Sequence, residues 1–419
     1  MTESLTPTEA MPHASVPRAL LLVFAPFSAG YFLSYVFRTV NAVIAAPLIE
    51  DLGLSAADLG LLTAAYFLAF AAFQIPLGLL LDRFGPRRVQ SALLLVAALG
   101  ALLFALGESK EALLLARALI GLGVAGGLMA SIKAITLWFP KDRWPLVKGC
   151  FLAMGGLGAM AATAPVEAAL QLTDWRGLFL ALSVATCLAA ALIFSAVPET
   201  QRGLAQVELR EALRGLKRIY GDRFFWRLAP IGMFCSGASM SIQGLWAGPW
   251  LADVAGFERD RVATGLLSIA AAMTIGSVTA GVVADLLGRL GIALRRVLIG
   301  GILLFLLAQT AIVFEVQAEA LWPWVAFGLS SSFTILAMPM ISGHFPLELA
   351  GRANTAFNVL VFSMAFATQF AIGAIIDLWP TRLDGGYDAE AYRVAFGAIL
   401  ALEVVAFVWL ILPLGRKDR

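Results

Sequence analysis

Charged side chains inside long apolar stretches are the residues of this sequence with the clearest capacity for chemistry. Arg38, Arg117, Lys133, Glu167 and Glu403 all stand in such stretches. A charged group held away from water costs about 2.5 to 3.5 kcal/mol on insertion scales, so each should face a cavity or an opposite charge. For each residue we therefore asked whether it binds a ligand or only a neighbouring side chain.

Arg38 lies about midway along the first apolar stretch, residues 20–49. A guanidinium keeps its charge and presents a planar fork that matches a carboxylate. We therefore expect Arg38 to bind the anionic group of a small molecule. Tyr35 and Asn41 lie one helical turn away on either side and can add neutral hydrogen bonds. The alternative is that Arg38 is permanently paired with a neighbouring acid.

Arg117 lies near the start of the fourth apolar stretch and Glu167 near the end of the fifth, which places them at matching depths. We expect them to form an ion pair, which can take up and release a proton when its partners separate. A purely structural ion pair is the alternative. Lys133 lies close to the end of its stretch, so snorkelling to the surface competes equally with ligand contact. Glu403 is interpreted as structural.

Further polar and aromatic side chains in the apolar stretches could line a cavity. The complete candidate set for ligand binding is Arg38, Asn41, Tyr35, Tyr66, Gln74, Lys133, Gln243, Trp246 and Gln369. The methionines could suggest a path for a soft metal, but no histidine occurs in the apolar stretches. Packing explains the methionines better, and we expect no metal site.

The elements that position these side chains are membrane helices. Of the 419 residues, 60% are hydrophobic and 14% are charged, whereas soluble domains have about 25% charged residues. One crossing of the hydrocarbon core needs about 20 apolar residues. Twelve such stretches follow one another, over residues 20–49, 59–81, 89–107, 112–138, 146–171, 177–197, 228–252, 262–284, 295–314, 320–343, 353–378 and 394–414.

The distribution of charge predicts the orientation in the membrane. Most of the 30 Lys and Arg residues fall on one side when both termini are placed in the cytosol, as the positive-inside rule requires. We expect a monomer in the cell inner membrane. Its segments would be a cytoplasmic tail (1–19), an N-terminal six-helix bundle (20–197), a cytoplasmic linker (198–227), a C-terminal six-helix bundle (228–414) and a second cytoplasmic tail (415–419).

The second group of apolar stretches repeats the first. Residues 78–85 (GLLLDRFG) match residues 281–288 (GVVADLLG) at an offset of 203 residues. Glycines permit a tight turn, and Asp82 beside several arginines supplies an ion-pair cluster that can form and break. A solvated basic loop is the alternative interpretation.

The loop of residues 78–88 (GLLLDRFGPRR) resembles the helix 2 to 3 motif of major facilitator superfamily transporters. The resemblance implies an all-α integral membrane protein with 12 transmembrane helices in two pseudo-symmetric six-helix bundles, and a solute site between the halves. It also implies a conformational gate, formed by Gly78, Asp82, Arg83, Gly85, Arg87, Arg88, Gly281, Asp285 and Gly288.

Two other segments carry the resemblance. Residues 117–123 (RALIGLG) are similar to the family's R-x-x-x-G-x-G element, which is associated with proton coupling, and the first stretch is similar to the organic-anion and organophosphate branches, which place a substrate-binding arginine there. Two departures from these branches matter. The seventh apolar stretch, 228–252, has no central basic residue that could complete a two-arginine clamp for phosphate. Val124 stands where sugar-acid symporters of the family carry an acidic residue. The resemblance therefore implies a small organic anion and a proton as coupling ion.

Several classes of function lose support from the sequence. No phosphate-binding G-x-x-x-x-G-K-[ST] loop and no catalytic constellation occurs, so we expect neither an enzyme nor a cofactor. The net charge of +2 gives no support for a nucleic-acid partner. Secondary active uptake by alternating access is the leading hypothesis. Efflux of a drug-like or other small solute and a non-transporting membrane sensor are the alternatives.

Overall fold

The computed structural model describes residues 16–198, 209–382 and 385–412, and every regular element in these ranges is a helix. Residues 1–15 of the expected N-terminal tail, 199–208 of the expected linker, 383–384 and 413–414 of the expected C-terminal bundle, and the whole expected tail 415–419 lie outside the described residues. Below, the N half means residues 16–198 and the C half means residues 209–412.

The N half contains nine α-helical segments within its described residues. They are α1 (Val16–Ala19), α2 (Ala25–Thr39), α3 (Asn41–Leu52), α4 (Ala56–Leu106), α5 (Lys110–Val124), α6 (Gly127–Trp138), α7 (Trp144–Ala161), α8 (Ala164–Leu170) and α9 (Trp175–Ala196). A π-helical turn, Leu20–Phe24, joins α1 to α2, and a 3₁₀ turn, Lys141–Arg143, precedes α7.

The described part of the C half contains nine more segments. They are α10 (Leu209–Tyr220), α11 (Arg223–Ser241), α12 (Ala247–Asp253), α13 (Arg259–Arg289), α14 (Leu294–Val313), α15 (Trp322–Ser331), α16 (Ala337–His344), α17 (Leu347–Ile376) and α18 (Ala389–Ile411). A π-helical turn, Ile242–Trp246, continues α11 into α12, and a 3₁₀ turn, Ser332–Leu336, joins α15 to α16.

Short polar residues begin several helices. Ser55 caps α4, since its hydroxyl accepts from Asp58 N at 3.1 Å while the Asp58 carboxylate accepts from Ser55 N at 3.4 Å. Asp174 caps α9 and Asp222 caps α11 in the same way. Such caps satisfy backbone N–H groups that have no partner within the helix.

The stretches expected at 59–81 and 89–107 are two helices, and α4 is the pair of them joined at a kink. It has 51 residues, and its single non-helical residue is Gly85, at φ 75° and ψ 165°. This φ lies in the region that glycine adopts without strain, so the helix changes direction at Gly85 and resumes at Pro86. At about 1.5 Å per residue, α4 is long enough to cross a 30 Å hydrocarbon core twice.

The helices are apolar enough for a membrane. Within the described ranges, nine helices meet the length and hydropathy expected of a span, and the bent pair α7 and α8, at 41°, makes a tenth. Large apolar side chains such as Leu95, Leu188 and Val405 lie exposed on the outer surface of these helices. The outer surface therefore suits lipid, as the composition predicted.

The expected cytoplasmic linker contains a helix that the apolar pattern did not indicate. In α10, Leu216 and Ile219 are buried, whereas Arg214, Lys217 and Arg218 are exposed. Tyr220 is the last residue of α10, and its hydroxyl donates to Ala356 O of α17 at 3.1 Å. Burial raises the pKa of this phenol. The helix α10 is amphipathic and packs against α17.

The two halves approach closely at one end of the molecule, called here the distal end, which carries Ala56 and Asp377. A Cβ atom added to Gly373 would collide with Ala56 O, and one added to Gly248 would collide with Ala42 O. These glycines therefore let backbone pack against backbone between the halves. At the opposite end, called the linker end, which carries Asp82 and α10, a cavity of about 110 Å³ lies between α4 and α17.

Candidate functional site

Arg38 lies at the interface between the halves. Its guanidinium is 4.4 Å from the ring centroid of Tyr35, on the same helix, and 5.4 Å from that of Phe362, on α17 of the C half. The Arg38 Nε is buried and has no hydrogen-bond partner. Among the described residues no carboxylate forms an ion pair with it, so a permanently paired Arg38 has no support. The geometry leaves a fixed positive charge available to an anion.

Aromatic side chains surround this arginine. The Tyr31 hydroxyl donates to the Tyr35 hydroxyl at 3.3 Å, and the Tyr66 hydroxyl donates to Ser34 O at 3.4 Å. The Phe362 ring stacks on Phe70 of α4 at 4.0 Å between centroids. Sequence reasoning missed Phe362, because its only signal was an aromatic residue midway along the eleventh stretch, and the face it occupies depends on packing.

Arg117 does not pair with Glu167, so that expected ion pair is wrong. The Arg117 Nη1 donates to Phe37 O at 3.0 Å, and the guanidinium lies over Phe104 and Phe179 at 5.0 and 5.4 Å. Its Nε and Nη2 are buried without a partner. The side chain thus points into the interior of the N half.

Glu167 pairs instead with Arg259, at the start of α13 in the C half. The Glu167 Oε1 to Arg259 Nε distance is 2.5 Å, and the two side chains are 7% and 57% exposed. Equal depth on neighbouring helices was the basis of the expected pair, but Glu167 lies on the face of α8 that meets the other half. This ion pair is a link between the halves at the distal end.

A second link at the distal end joins a carboxylate to a helix start. Asp377, just after α17, accepts hydrogen bonds from Ala56 N at 2.8 Å and from Ala57 N at 3.0 Å. These N–H groups belong to the first turn of α4, where the helix dipole favours negative charge. The C half therefore supplies a cap to a helix of the N half.

The gate residues cluster at the linker end. Asp82 pairs with Lys133 of α6 at 2.6 Å, and the Lys133 ammonium also donates to Leu81 O at 2.9 Å. Lys133 therefore contacts the gate motif rather than Arg38, with which sequence reasoning had grouped it. Arg83 lies over Phe84. Arg87 donates to Phe194 O of α9 at 2.8 Å, beside Arg88 in the sequence.

The weaker second copy of the motif differs in structure. Asp285 forms an exposed pair with Arg289, one turn further along α13, at 2.7 Å. Gly288 is helical, and the positive φ of 78° falls at Gly291, whereas Gly85 itself turns the chain in the first copy. Gly281, like Gly78, has open space around its Cα.

The other candidate ligand residues are dispersed in this conformation. Asn41 donates to Thr63 Oγ1 at 2.8 Å within the N half. Trp246 Nε1 donates to Gln369 O at 3.2 Å, and both side chains are fully buried. Gln243 is buried in the π-helical turn, whereas Gln74 lines the linker-end cavity. Tyr35 and Tyr66 lie beside Arg38, whereas Trp246 and Gln369 form a separate contact.

The glycines of the R-x-x-x-G-x-G element act through packing. A Cβ on Gly121 would collide with Tyr66 O, and one on Gly123 would collide with Ala97 N. Both contacts are with α4, so these glycines let α5 approach it closely and leave Arg117 directed toward α2. The element thus fixes the packing behind the Arg38 region.

Two proteins that are similar to this chain in sequence are named as transporters. The chain is 28% identical over 406 residues to a probable sulfoacetate transporter, SauU, of Cupriavidus necator, covering 91% of each chain. It is 27% identical over 251 residues to the hexuronate transporter of Escherichia coli strain K12, covering 56% of this chain and 58% of that relative.

Structural comparison agrees on the fold. A crystal structure of a bacterial homolog of the human lysosomal transporter Spinster has a TM-score of 0.76 at 19% identity, covering 95% of this chain and 97% of that one. The model of the Major Facilitator Superfamily matches residues 27–369. With apolar helices, a duplicated glycine and aspartate motif, and halves that meet around a half-buried arginine, the chain belongs to the Major Facilitator Superfamily and is a transporter rather than an enzyme.

Proposed function

We propose that this protein is a secondary active transporter that takes up a small organic anion across the cytoplasmic membrane by alternating access, driven by a proton. The observation that carries the proposal is Arg38, an unpaired guanidinium between the halves with aromatic rings on two sides. A carboxylate or sulfonate supplies the planar or tripodal oxygens that such a group binds. The names of the relatives, a probable sulfoacetate transporter and a hexuronate transporter, support an organic anion.

We infer twelve crossings in two six-helix bundles. The nine spans and the bent pair α7 and α8 account for ten. The helix α4 counts twice because it turns at Gly85, and α11 with α12 adds one more across the π-helical turn. Segments 20–197 and 228–414 are then the bundles, and 198–227 is the linker that contains α10.

The proposed orientation places the linker end in the cytosol. This end carries Arg83 and the basic helix α10, as the positive-inside rule favours. In this orientation, the links at the distal end by Asp377 and by Glu167 with Arg259 support a state closed to the outside. The cavity beside Asp82 then lies on the cytosolic route.

The Asp82 motif acts in the proposal as the cytosolic gate. In the present state the Asp82 carboxylate is held by Lys133 of its own half. Closing the linker end would bring α4 toward α17, across the cavity that Asp82 and Arg352 line. Each state of a rocking carrier needs contacts that exist only in that state. Lys133 and Asp82 are therefore assigned to the gate.

Proton coupling is assigned to Glu167 with Arg259. Opening of the distal end separates the two groups, because they belong to different halves. A mostly buried carboxylate that loses its counter-charge becomes costly, and binding a proton removes that cost. Proton uptake would thus accompany opening to the outside. Arg117, which has no acid partner among the described residues, is assigned a positioning role.

Flux into proteoliposomes tests the proposal. Purified protein is reconstituted, and uptake of sulfoacetate, a hexuronate, a neutral sugar and a hydrophobic cation is measured with and without an inward pH gradient. We expect accumulation of an anion only, increased by the gradient. Gradient-driven export of a neutral or cationic solute would contradict the proposal and favour efflux, while binding without flux would favour a sensor.

A further inference from the structure

Two arginines reach the end of α18. Arg227 of α11 donates through its guanidinium to Leu412 O, and Arg295 of α14 donates to Leu410 O at 2.7 Å. Both guanidinium groups therefore reach the last turn of one helix, at carbonyl groups two residues apart. Within the described ranges, neither arginine forms an ion pair with a carboxylate.

Arg227 and Arg295 have N–H groups that do not donate to the carbonyl groups at the end of α18. Arg227 is only 8% exposed, and its Nε is buried without a partner. A guanidinium presents five N–H groups, and capping one carbonyl uses a small share of them. Two like charges held side by side, one of them buried, are unfavourable unless an anion bridges them.

Two tryptophans indicate the depth of this pair in the membrane. Trp226 and Trp409 are 38% and 48% exposed, and the Trp409 ring centroid lies 5.4 Å from the Arg227 guanidinium. Trp409 Nε1 donates to Trp226 O at 2.9 Å. Tryptophans with an exposed apolar ring and a bonded N–H concentrate at the membrane interface. The arginine pair therefore lies level with the lipid headgroups.

We propose that Arg227 and Arg295 bind the phosphodiester of an anionic lipid. Guanidinium groups bind phosphate oxygens through paired hydrogen bonds, and basic pockets between helices at the cytoplasmic surface hold such headgroups. A free phosphate ion has the same oxygens. The lipid is favoured because Trp409 and the exposed Val405 and Val408 of α18 offer an apolar track for an acyl chain, which free phosphate does not need. The assignment of this site to the cytoplasmic leaflet rests on the proposed orientation, whereas the site itself does not.

Native mass spectrometry and thermal unfolding of the full-length protein in neutral detergent test this site. The probes are phosphatidylglycerol, phosphatidylcholine and inorganic phosphate, and the variants are Arg227→Gln and Arg295→Gln. The matched control is Arg261→Gln, since Arg261 also donates to a backbone carbonyl, Glu319 O, and lies over a ring, Phe257, but at the distal end.

We expect phosphatidylglycerol to bind more tightly than phosphatidylcholine and to raise the unfolding temperature. Each of the two substitutions should weaken phosphatidylglycerol binding about fivefold, and Arg261→Gln should leave it unchanged. Because Arg295 is exposed, its variant decides the matter if Arg227→Gln does not fold. Equal binding of the two lipids, or wild-type binding by Arg295→Gln, would overturn the site. Displacement of the lipid by millimolar inorganic phosphate would overturn the lipid assignment.

Discussion

The guanidinium of Arg117 donates at 3.0 Å to the backbone oxygen of Phe37, the residue directly before Arg38. One turn later α2 ends and α3 begins, on either side of Val40. The buried guanidinium of Arg117 thus supports the backbone at the point where the first span is interrupted. Arg38, the residue proposed to bind the anion, lies at the same point. We therefore expect the hydrogen bond from Arg117 to Phe37 O to help orient the Arg38 side chain.

Replacing Arg117 by glutamine should weaken anion binding by up to about tenfold, since a charged hydrogen bond contributes about 1.5 kcal/mol and Arg38 would lose its support. Gradient-driven accumulation, expressed relative to flux without a gradient, should stay as in the wild type. Calorimetric titration and proteoliposome flux measure the two effects. If the Arg117 variant instead lost the response of uptake to the pH gradient while its anion affinity stayed unchanged, Arg117 would be assigned to proton coupling.

Replacing Arg38 should remove anion binding. Arg38→Gln loses the charge, and we expect affinity to fall about tenfold to a hundredfold, as for loss of charged hydrogen bonds. Arg38→Lys keeps the charge but loses the fork, so it should also be impaired. Equilibrium binding of the transported anion gives the answer once size-exclusion profiles and unfolding temperatures match the wild type. Wild-type affinity in both variants would leave Arg38 with a structural role.

Breaking the pair between Glu167 and Arg259 should shift the protein toward the state open at the distal end. Because Arg259 is largely exposed, the pair contributes at most about 1 kcal/mol, a population change of up to about fivefold. Spin labels at exposed positions 172 and 316, in a background with the exposed Cys150 and Cys187 replaced by serine, report the separation.

Lys110→Gln is the matched control for this experiment, since Lys110 pairs with Asp58 of its own half. Its distance distribution should equal that of the wild type. Glu167→Gln should in addition lose the response of uptake to a pH gradient, because the amide cannot bind the proton. Full gradient-driven accumulation in Glu167→Gln would remove this residue from coupling, whatever the distances show.

Asp82→Asn should slow flux about fivefold while anion affinity stays unchanged, because a gate residue acts on the exchange between states and not on the site. Lys133→Gln, which removes the partner of Asp82, should slow flux in the same way. Asp285→Asn breaks only an exposed pair within one helix and serves as the control. Normal flux in Asp82→Asn would exclude a gating role, and a large loss of affinity in Lys133→Gln would favour ligand contact.

The helices could be predicted from the sequence because apolar length is a local property. The stretches expected at 177–197 and 295–314 are the helices Trp175–Ala196 and Leu294–Val313. The helix α10 escaped this reasoning, since it is short and charged and is stabilised by packing on α17. The direction of the kink at Gly85, between the two stretches that α4 contains, depends on a single backbone conformation, which hydropathy does not report.

The site could be predicted only in part because depth along a helix says nothing about rotation around it. Depth predicted Arg38 near the middle of the membrane, and the structure places its guanidinium against Phe362 of the other half. Depth also matched Arg117 with Glu167, yet the first turns toward Phe37 and the second toward Arg259 of the other half. Contacts between the halves join residues far apart in sequence, and no local pattern encodes which faces meet.

The glycine contacts at the distal end have a practical consequence. Because Gly373 and Gly248 place bare backbone against backbone, closure there requires no particular rotamer, but it tolerates no added volume. A methyl group at Gly373 would act as a wedge, and so would one at Gly248. Either substitution therefore offers a way to trap the carrier open at the distal end, so that the structure of that second conformer can be determined.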